Sequence, residues 1–216
     1  TVAYMRPLQF DRTTFARAEE EFNRIFNVFH VGYPGGDWDA LLRSSTEFQN
    51  YMMHFILRIA SRHGVPIQIH TGLLAGGRNL VRNANPELLS SLFLQYPEVR
   101  FDIFHIGYPY FRSLGALAKM FPNVYIDMCW AHSISPVAAQ DALGEWLELL
   151  PFNRVIAFGG DSVFPDAVFG YQVQARETVY RALERKVEQG LFGEAKAAEI
   201  ARALLSGNLK ALYGIR

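Results

Sequence analysis

Residues Val99–Pro109 read VRFDIFHIGYP, an apolar run that ends on a histidine and then turns through glycine and proline. Its apolar content and the turn before it, YPEV, mark a buried strand. Three other runs have the same form: VPIQIHTG from Val65, NVYIDMCW from Asn123 and RVIAFGGD from Arg154. Helical stretches are predicted between and after them, over Asn85–Tyr96, Phe111–Phe121, Pro136–Leu150 and Ala167–Gln189, with a further amphipathic helix over Glu194–Leu205. Strand and helix in alternation imply parallel strands joined by right-handed crossovers.

The boundaries carry their own physics. NANPELL and SISPVAAQDAL each set a capping residue before a proline suited to the first helical position. HGVP, YPEV and FPNV end helices and turn the chain into the next strand. Nearer the start, Thr14–Asn27 reads as helix, VGYPGGDWD as a glycine-rich loop, and Ser45–Gly64 as an amphipathic helix with a Ser/Thr cap. TVAYMRPL is compatible with a strand. No low-complexity linker divides the chain, so one domain is expected.

His70, His105, Asp127 and Asp161 all fall toward the carboxyl ends of apolar runs. In a (β/α)8 TIM barrel that end forms the active-site face, and this α/β architecture is the expected fold. A doubly wound sheet also binds ligands at strand carboxyl ends. Neither AGGRN nor FGGDS has the G-x-G-x-x-G spacing that would favour it.

Of the 216 residues 50% are hydrophobic, enough for a sizeable core, and Lys plus Arg equals Asp plus Glu at 21 each. Such a balance gives no net field toward nucleic acid or an anionic membrane, which leaves a neutral small molecule or a locally recognised anion as ligand. The single cysteine, Cys129, excludes an intramolecular disulfide framework and favours a reducing compartment, the cytoplasm. No apolar run reaches the ~18 residues of a membrane span, and the first residues lack a signal peptide's apolar core.

His70, His105 and Asp161 carry the chemistry when taken together. Two imidazoles and a carboxylate at one end of a parallel barrel suit a divalent ion such as Zn²⁺, Mn²⁺ or Fe²⁺. Neighbouring strands lie ~4.8 Å apart, so ligands on successive strands can share an ion with bonds of about 2.1 Å. A metal polarises a carbonyl and lowers the pKa of water toward ~7, while an adjacent carboxylate moves the proton. A lone histidine at a strand end is more often structural; three such groups in matching settings outweigh that reading. The glycines before Asp161 are expected to leave room for substrate.

PIQIHTG, the long stretch from NPELLSS to YIDMCW, NRVIAFGGDS and GNLKALYGI resemble the carboxyl-terminal half of the amidohydrolase superfamily, over about Phe48–Ile215. The closest subgroup is akin to the domain fused to glutamine synthetase-like proteins. By this resemblance His70 is the metal-binding histidine after the fifth strand. His105, after the sixth, binds a second metal or polarises substrate, and Asp161, on the eighth, is metal neighbour and proton shuttle. The resemblance implies a metal-dependent hydrolase with one or two ions, most often zinc. The family's first-strand H-x-H pair occurs nowhere in these residues. The chain is therefore expected to supply about strands four or five to eight, with TVAYM as the end of the fourth. Its partner would be an amino-terminal part of the same polypeptide, and assembly into a homo-oligomer is open. A carboxylated lysine, which the family often carries on the fourth strand, would fall at or just before Thr1.

Arg78 and Arg112 follow the fifth and sixth strands, where an arginine can clamp a carboxylate, Arg112 being the better placed. Tyr108, Tyr110 and Trp130 are candidates to wall a substrate pocket, and His132 to contact substrate, although aromatic residues near strand ends are usually core. Asp127 either caps a loop or orients His105. Cys129 reads as packing, and His54 and His63 as residues of a helix surface or end. FHVGYP, from Phe29, nearly repeats FHIGYP, from Phe104, but follows a charged helix, so His30 is expected to be a coincidence. Hydrolysis of an amide, ester or lactone in a small molecule, one bearing a carboxylate among the candidates, is the leading reading. A metal-dependent decarboxylase and a degenerate, non-catalytic barrel are the alternatives.

Overall fold

Four parallel strands form one sheet in sequential order: β1 (Ile67–His70), β2 (Phe101–Phe104), β3 (Val124–Asp127) and β4 (Val155–Ile156). The structure is a computed structural model and describes residues 2–31 and 38–215. Register sets Ile67, Phe101 and Val124 side by side, then Gln68, Asp102 and Tyr125, then Ile69, Ile103 and Ile126. Because side chains alternate across a strand, the first and third rows share one face and the second row points the other way.

The apolar face is the core. Phe101, Ile103, Val124, Ile126 and Val155 are buried there with Leu57, Leu92, Phe93, Leu114, Leu143 and Trp146 from the helices. Each such side chain contributes about 1.5–3 kcal/mol on burial, so a one-residue slip of register would be strongly penalised. That burial fixes the opposite face, with Gln68, His70, Asp102 and Asp127, as the inside of the barrel wall.

The helices are α1 (Phe15–Val31), α2 (Trp38–Ser44), α3 (Thr46–His63), α4 (Ser90–Gln95), α5 (Phe111–Met120), α6 (Ala131–Ile134), α7 (Pro136–Leu149), α8 (Pro165–Glu188), α9 (Glu194–Arg202) and α10 (Asn208–Tyr213). Two expected caps form: Asn85 Oδ1 accepts from Glu87 N at 3.0 Å, and Ser135 Oγ accepts from Ala138 N at 3.2 Å. Gly64 closes α3 in the left-handed region at φ 62°.

Some elements differ from expectation. The helix read over Asn85–Tyr96 begins as 3-10 turns, Val81–Ala84 and Pro86–Leu89, before α4. A π turn at Ala203–Gly207 separates α9 from α10. α1 runs to Val31 and so includes His30; of the predicted glycine-rich loop, residues 32–37 lie outside those described. The described part of TVAYM, from Val2, is not a strand end. Val2–Tyr4 is a 3-10 turn in which Met5 N and Arg6 N both donate to the Val2 carbonyl, at 2.9 and 3.1 Å. Its backbone groups are satisfied locally, and Leu8 N then donates to Asn83 O at 2.9 Å, so the segment bonds to the 3-10 turn Val81–Ala84 instead of to β1. The position expected for a carboxylated lysine, at or just before Thr1, lies outside the described residues.

Among the described residues no strand pairs with the outer edge of β1. A cleft of about 410 Å³ lies along that edge, lined by Ile67–His70 together with Leu8, Met53 and Ile56. α10 closes the other end of the wall: Tyr213 OH donates to Asp102 Oδ2 at 2.5 Å and accepts from Gln68 Nε2 at 2.8 Å. Among the described residues no helix is long and apolar enough to cross a membrane.

Candidate metal centre

Every loop leaving a strand holds a non-glycine residue at positive φ: Arg78 (68°) after β1, His105 (67°) and Ile106 (52°) after β2, Trp130 (61°) after β3 and Asp161 (37°) after β4. These are the only such residues among those described. Left-handed backbone costs an L-residue roughly 1–2 kcal/mol, and its concentration at one end of the sheet marks that end as built for something other than stability.

There the three predicted ligands meet. His105 Nε2 lies 3.1 Å from His70 Nδ1 and 3.6 Å from Asp161 Oδ2. All three ligand atoms fall within 4.8 Å of one another. A tetrahedron of bonds near 2.1 Å has edges of about 3.4 Å, close to both shorter separations. Asp161, with 37% of its side chain exposed, is the member free to adjust, whereas His105 is 2% exposed.

The tautomer of His105 follows from its other nitrogen. Nδ1 sits 2.9 Å from the Cys129 carbonyl, which can only accept, so Nδ1 carries the hydrogen. A neutral ring then presents a lone pair at Nε2 toward His70 and Asp161. Such a backbone carbonyl behind a ligating imidazole sets ring orientation and raises basicity. Burial pushes the His105 pKa below the ordinary value, against the opposing pull of the Cys129 carbonyl and Asp161. Burial also lowers that of His70, His105 adding to the effect and Asp161 opposing it. Both rings are therefore held as neutral donors, the form a divalent ion requires.

Asp127 serves both roles considered for it. Its Oδ1 accepts from Cys129 N at 2.7 Å, which caps the loop and fixes the residue whose carbonyl holds His105. Burial and the neighbouring Asp102 drive the Asp127 pKa well up, the Cys129 amide pulling against them. Cys129 is buried, and burial raises its thiol pKa, with Asp127 and Asp161 adding. A thiol so held is packing, not a nucleophile. The carbonyl link to His105 is the feature that residue types alone do not reveal, because it is a backbone group.

The remaining candidates are placed unequally. The Trp130 ring stands edge-on to His105, centroids 5.5 Å apart. Tyr108 is half-buried against the core, and Arg78 is exposed in the β1 loop. His132 is buried, with Nε2 donating to the Ala157 carbonyl at 2.7 Å, a bond that ties the β3 loop to the end of β4. Arg112 is not brought to the cluster: Nε and Nη2 donate to Glu145 Oε1 at 3.0 and 2.7 Å on the outside. The room expected at Gly159 and Gly160 is filled from within. A Cβ on Gly159 would lie 2.4 Å from that of Cys129, and one on Gly160 3.0 Å from the Val168 methyls. These glycines admit side chains of the wall, and the expectation of substrate approach there is corrected. His54 is buried, not on a helix surface, between the Tyr96 hydroxyl (2.9 Å) and the Asp11 carbonyl (3.2 Å).

Asp102 gives a test of the barrel interior. Burial raises its pKa from 3.8 to about 6, with the Tyr213 hydrogen bond opposing. The folded carboxyl thus holds its proton more tightly than the unfolded one. Stability from this group is complete below the unfolded value and is lost as pH rises through about 6. Asp102→Asn keeps an acceptor for Tyr213 and should flatten the fall in stability between about pH 4 and 6. At pH 7 it should gain on the order of 2 kcal/mol in denaturant unfolding; an unchanged pH profile would refute the assignment.

Parallel strands with two imidazoles and a carboxylate converging at their carboxyl ends place this chain among the (β/α)8 barrels with a metal-binding face. It belongs to the amidohydrolase family, whose model matches residues 7–215. Protein fluG of Emericella nidulans is 35% identical over 152 residues, covering 68% of this chain and 17% of that protein. Two solved structures share the fold. One, from Lactobacillus casei and assigned as a metal-dependent hydrolase, has a TM-score of 0.79 at 23% identity and covers 99% of this chain and 53% of its own. The other, a uronate isomerase from Thermotoga maritima, has a TM-score of 0.77 at 16% identity and covers 96% and 48%. This chain spans about half the length of those structures.

Proposed function

We propose that this chain is the latter part of a metal-dependent hydrolase barrel that cleaves an amide, ester or lactone bond in a small molecule. The observation that carries the reading is the locked tautomer of His105, which aims Nε2 at the point where His70 Nδ1 and Asp161 Oδ2 converge. A divalent ion held there, zinc by preference, would supply Lewis acidity to a carbonyl oxygen and to water. His70 and His105 hold and orient it. Asp161, exposed and adjacent, takes the proton from the attacking water and returns it to the leaving group. Trp130 walls the pocket beside His105 and limits water around the reacting bond.

The open edge of β1, the cleft beside it and the greater length of the relatives support a further part of the same polypeptide that bears the earlier strands and the H-x-H. The decarboxylase alternative draws on Arg112 as a carboxylate clamp, and Glu145 already engages that guanidinium. In the full-length polypeptide, elemental analysis should find stoichiometric divalent metal. Screening of amides, esters and lactones against uronates and carboxylate substrates should give hydrolysis. Absence of metal would refute the reading, and isomerisation or carbon dioxide release without hydrolysis would refute its reaction class.

A further inference from the structure

On the opposite side of the sheet from His70 and His105, a second cavity of about 300 Å³ opens between α3, the segment around Arg12 and the end of α4. Its walls include Arg12, Tyr51, His54, Arg58, Gln95 and Tyr96. Among the described residues neither arginine has a carboxylate partner. Arg12 Nε donates to Gln95 Oε1 at 2.8 Å, which fixes the plane of the guanidinium and leaves both terminal nitrogens without an acceptor among those residues. Arg58 likewise makes no hydrogen bond to a described residue; its Cζ stands 5.8 Å from the Tyr51 ring centre and 5.9 Å from that of Phe55. Stacking of this kind holds a guanidinium in place while its N–H edge stays free. Glu47, at the start of α3, is taken by the Thr13 hydroxyl and by Arg17 at 3.6 Å.

The rest of the wall is arranged to suit a positive site. His54 Nε2 faces the Asp11 carbonyl at 3.2 Å, so it carries a hydrogen, and Nδ1 lies 2.9 Å from Tyr96 OH, which also donates to the His54 carbonyl at 3.4 Å. Burial pushes the His54 pKa down, the Asp11 carbonyl opposing and the fields of Arg58 and Arg12 adding to the fall. Two guanidiniums thus line one concave, partly aromatic cavity, neither with a carboxylate ion-pair partner among the described residues, an arrangement suited to an anion.

We propose that this cavity binds a phosphate monoester, with the phosphoryl group clamped between Arg12 and Arg58 and its organic group on Tyr51 and Tyr96. The cavity, about 300 Å³, exceeds the volume of a phosphoryl group and leaves room for an organic group beside Tyr51 and Tyr96. Nothing in this site depends on a metal or on the hydrolase reading.

Calorimetric titration of the full-length polypeptide with phenyl phosphate and with inorganic phosphate tests it. Both should bind saturably, phenyl phosphate the tighter, and both should weaken as salt rises. Arg12→Gln and Arg58→Gln should each weaken binding about tenfold or more, and Arg58→Lys, which keeps charge without the fork, should fall between. His105→Ala should leave binding unchanged, which separates this cavity from phosphate held at the metal centre. Melting curves of the variants exclude misfolding as the cause. No saturable binding below about 10 mM, undiminished affinity in both Gln variants, or loss in His105→Ala would overturn the proposal.

Discussion

Asp161→Asn is expected to lower kcat by about 10³-fold or more while leaving the melting temperature nearly unchanged. The amide keeps the size of the carboxylate but cannot accept a proton, so the proposed hydrolysis would lose its shuttle. The folded state loses little, because the side chain is 37% exposed and its ion-pair neighbour among the described residues is His105, at 3.6 Å. Metal content separates the two parts played by the residue. If His70 and His105 hold the ion, the variant should retain much of its metal while losing turnover. Substantial residual activity would remove Asp161 from the proton-transfer role, and a collapse in stability would make it structural.

Gly72→Ala should have the largest effect on stability. Gly72 follows β1 at φ +70°, and a Cβ there would lie 2.4 Å from Gly107 C and from Tyr108 N and O. Those are backbone atoms of the loop after His105, so no side chain can swing aside. Steric overlap adds to the left-handed penalty of ~1–2 kcal/mol, and a total above about 4 kcal/mol is expected. Gly76→Ala is the matched control: φ is +82°, yet nothing lies within 4 Å of its Cβ. It should cost about 1 kcal/mol. The difference in unfolding free energy between the two measures how closely the His70 and His105 loops pack; near-equality would show that they do not. Metal affinity should fall with Gly72→Ala, since the same contact holds the two proposed ligands in register.

The strands and the three clustered residues are legible in the sequence because local chemistry determines them. Apolar runs of strand length, each with a polar residue at its end, leave few other folds for residues 65–161. What escapes such a reading is made by backbone or by distant partners. The Cys129 carbonyl behind His105 has no residue signature. Arg112 follows His105 closely in the chain and so reads as a substrate clamp, yet its charge is claimed by Glu145, 33 positions away. Gly159 and Gly160 read as room for a ligand, but they accommodate Cys129 and Val168, which only the packing of the wall reveals. TVAYM has the composition of a strand, but the backbone of Val2 to Met5 is satisfied by a local turn.

The bond from His105 to the Cys129 carbonyl has a consequence for how this site tolerates change. Because the acceptor is main chain, exchanging the side chain at position 129 leaves it in place so long as the newcomer fits against Gly159. Position 129 can therefore change in identity while the carbonyl keeps its hold on His105, the loss being confined to the Cys129 Sγ contact with Nδ1 at 3.4 Å. A survey that ranks positions by side-chain replacement would pass over it, and only a change to the backbone itself, such as an inserted residue in the β3 loop, would expose its part.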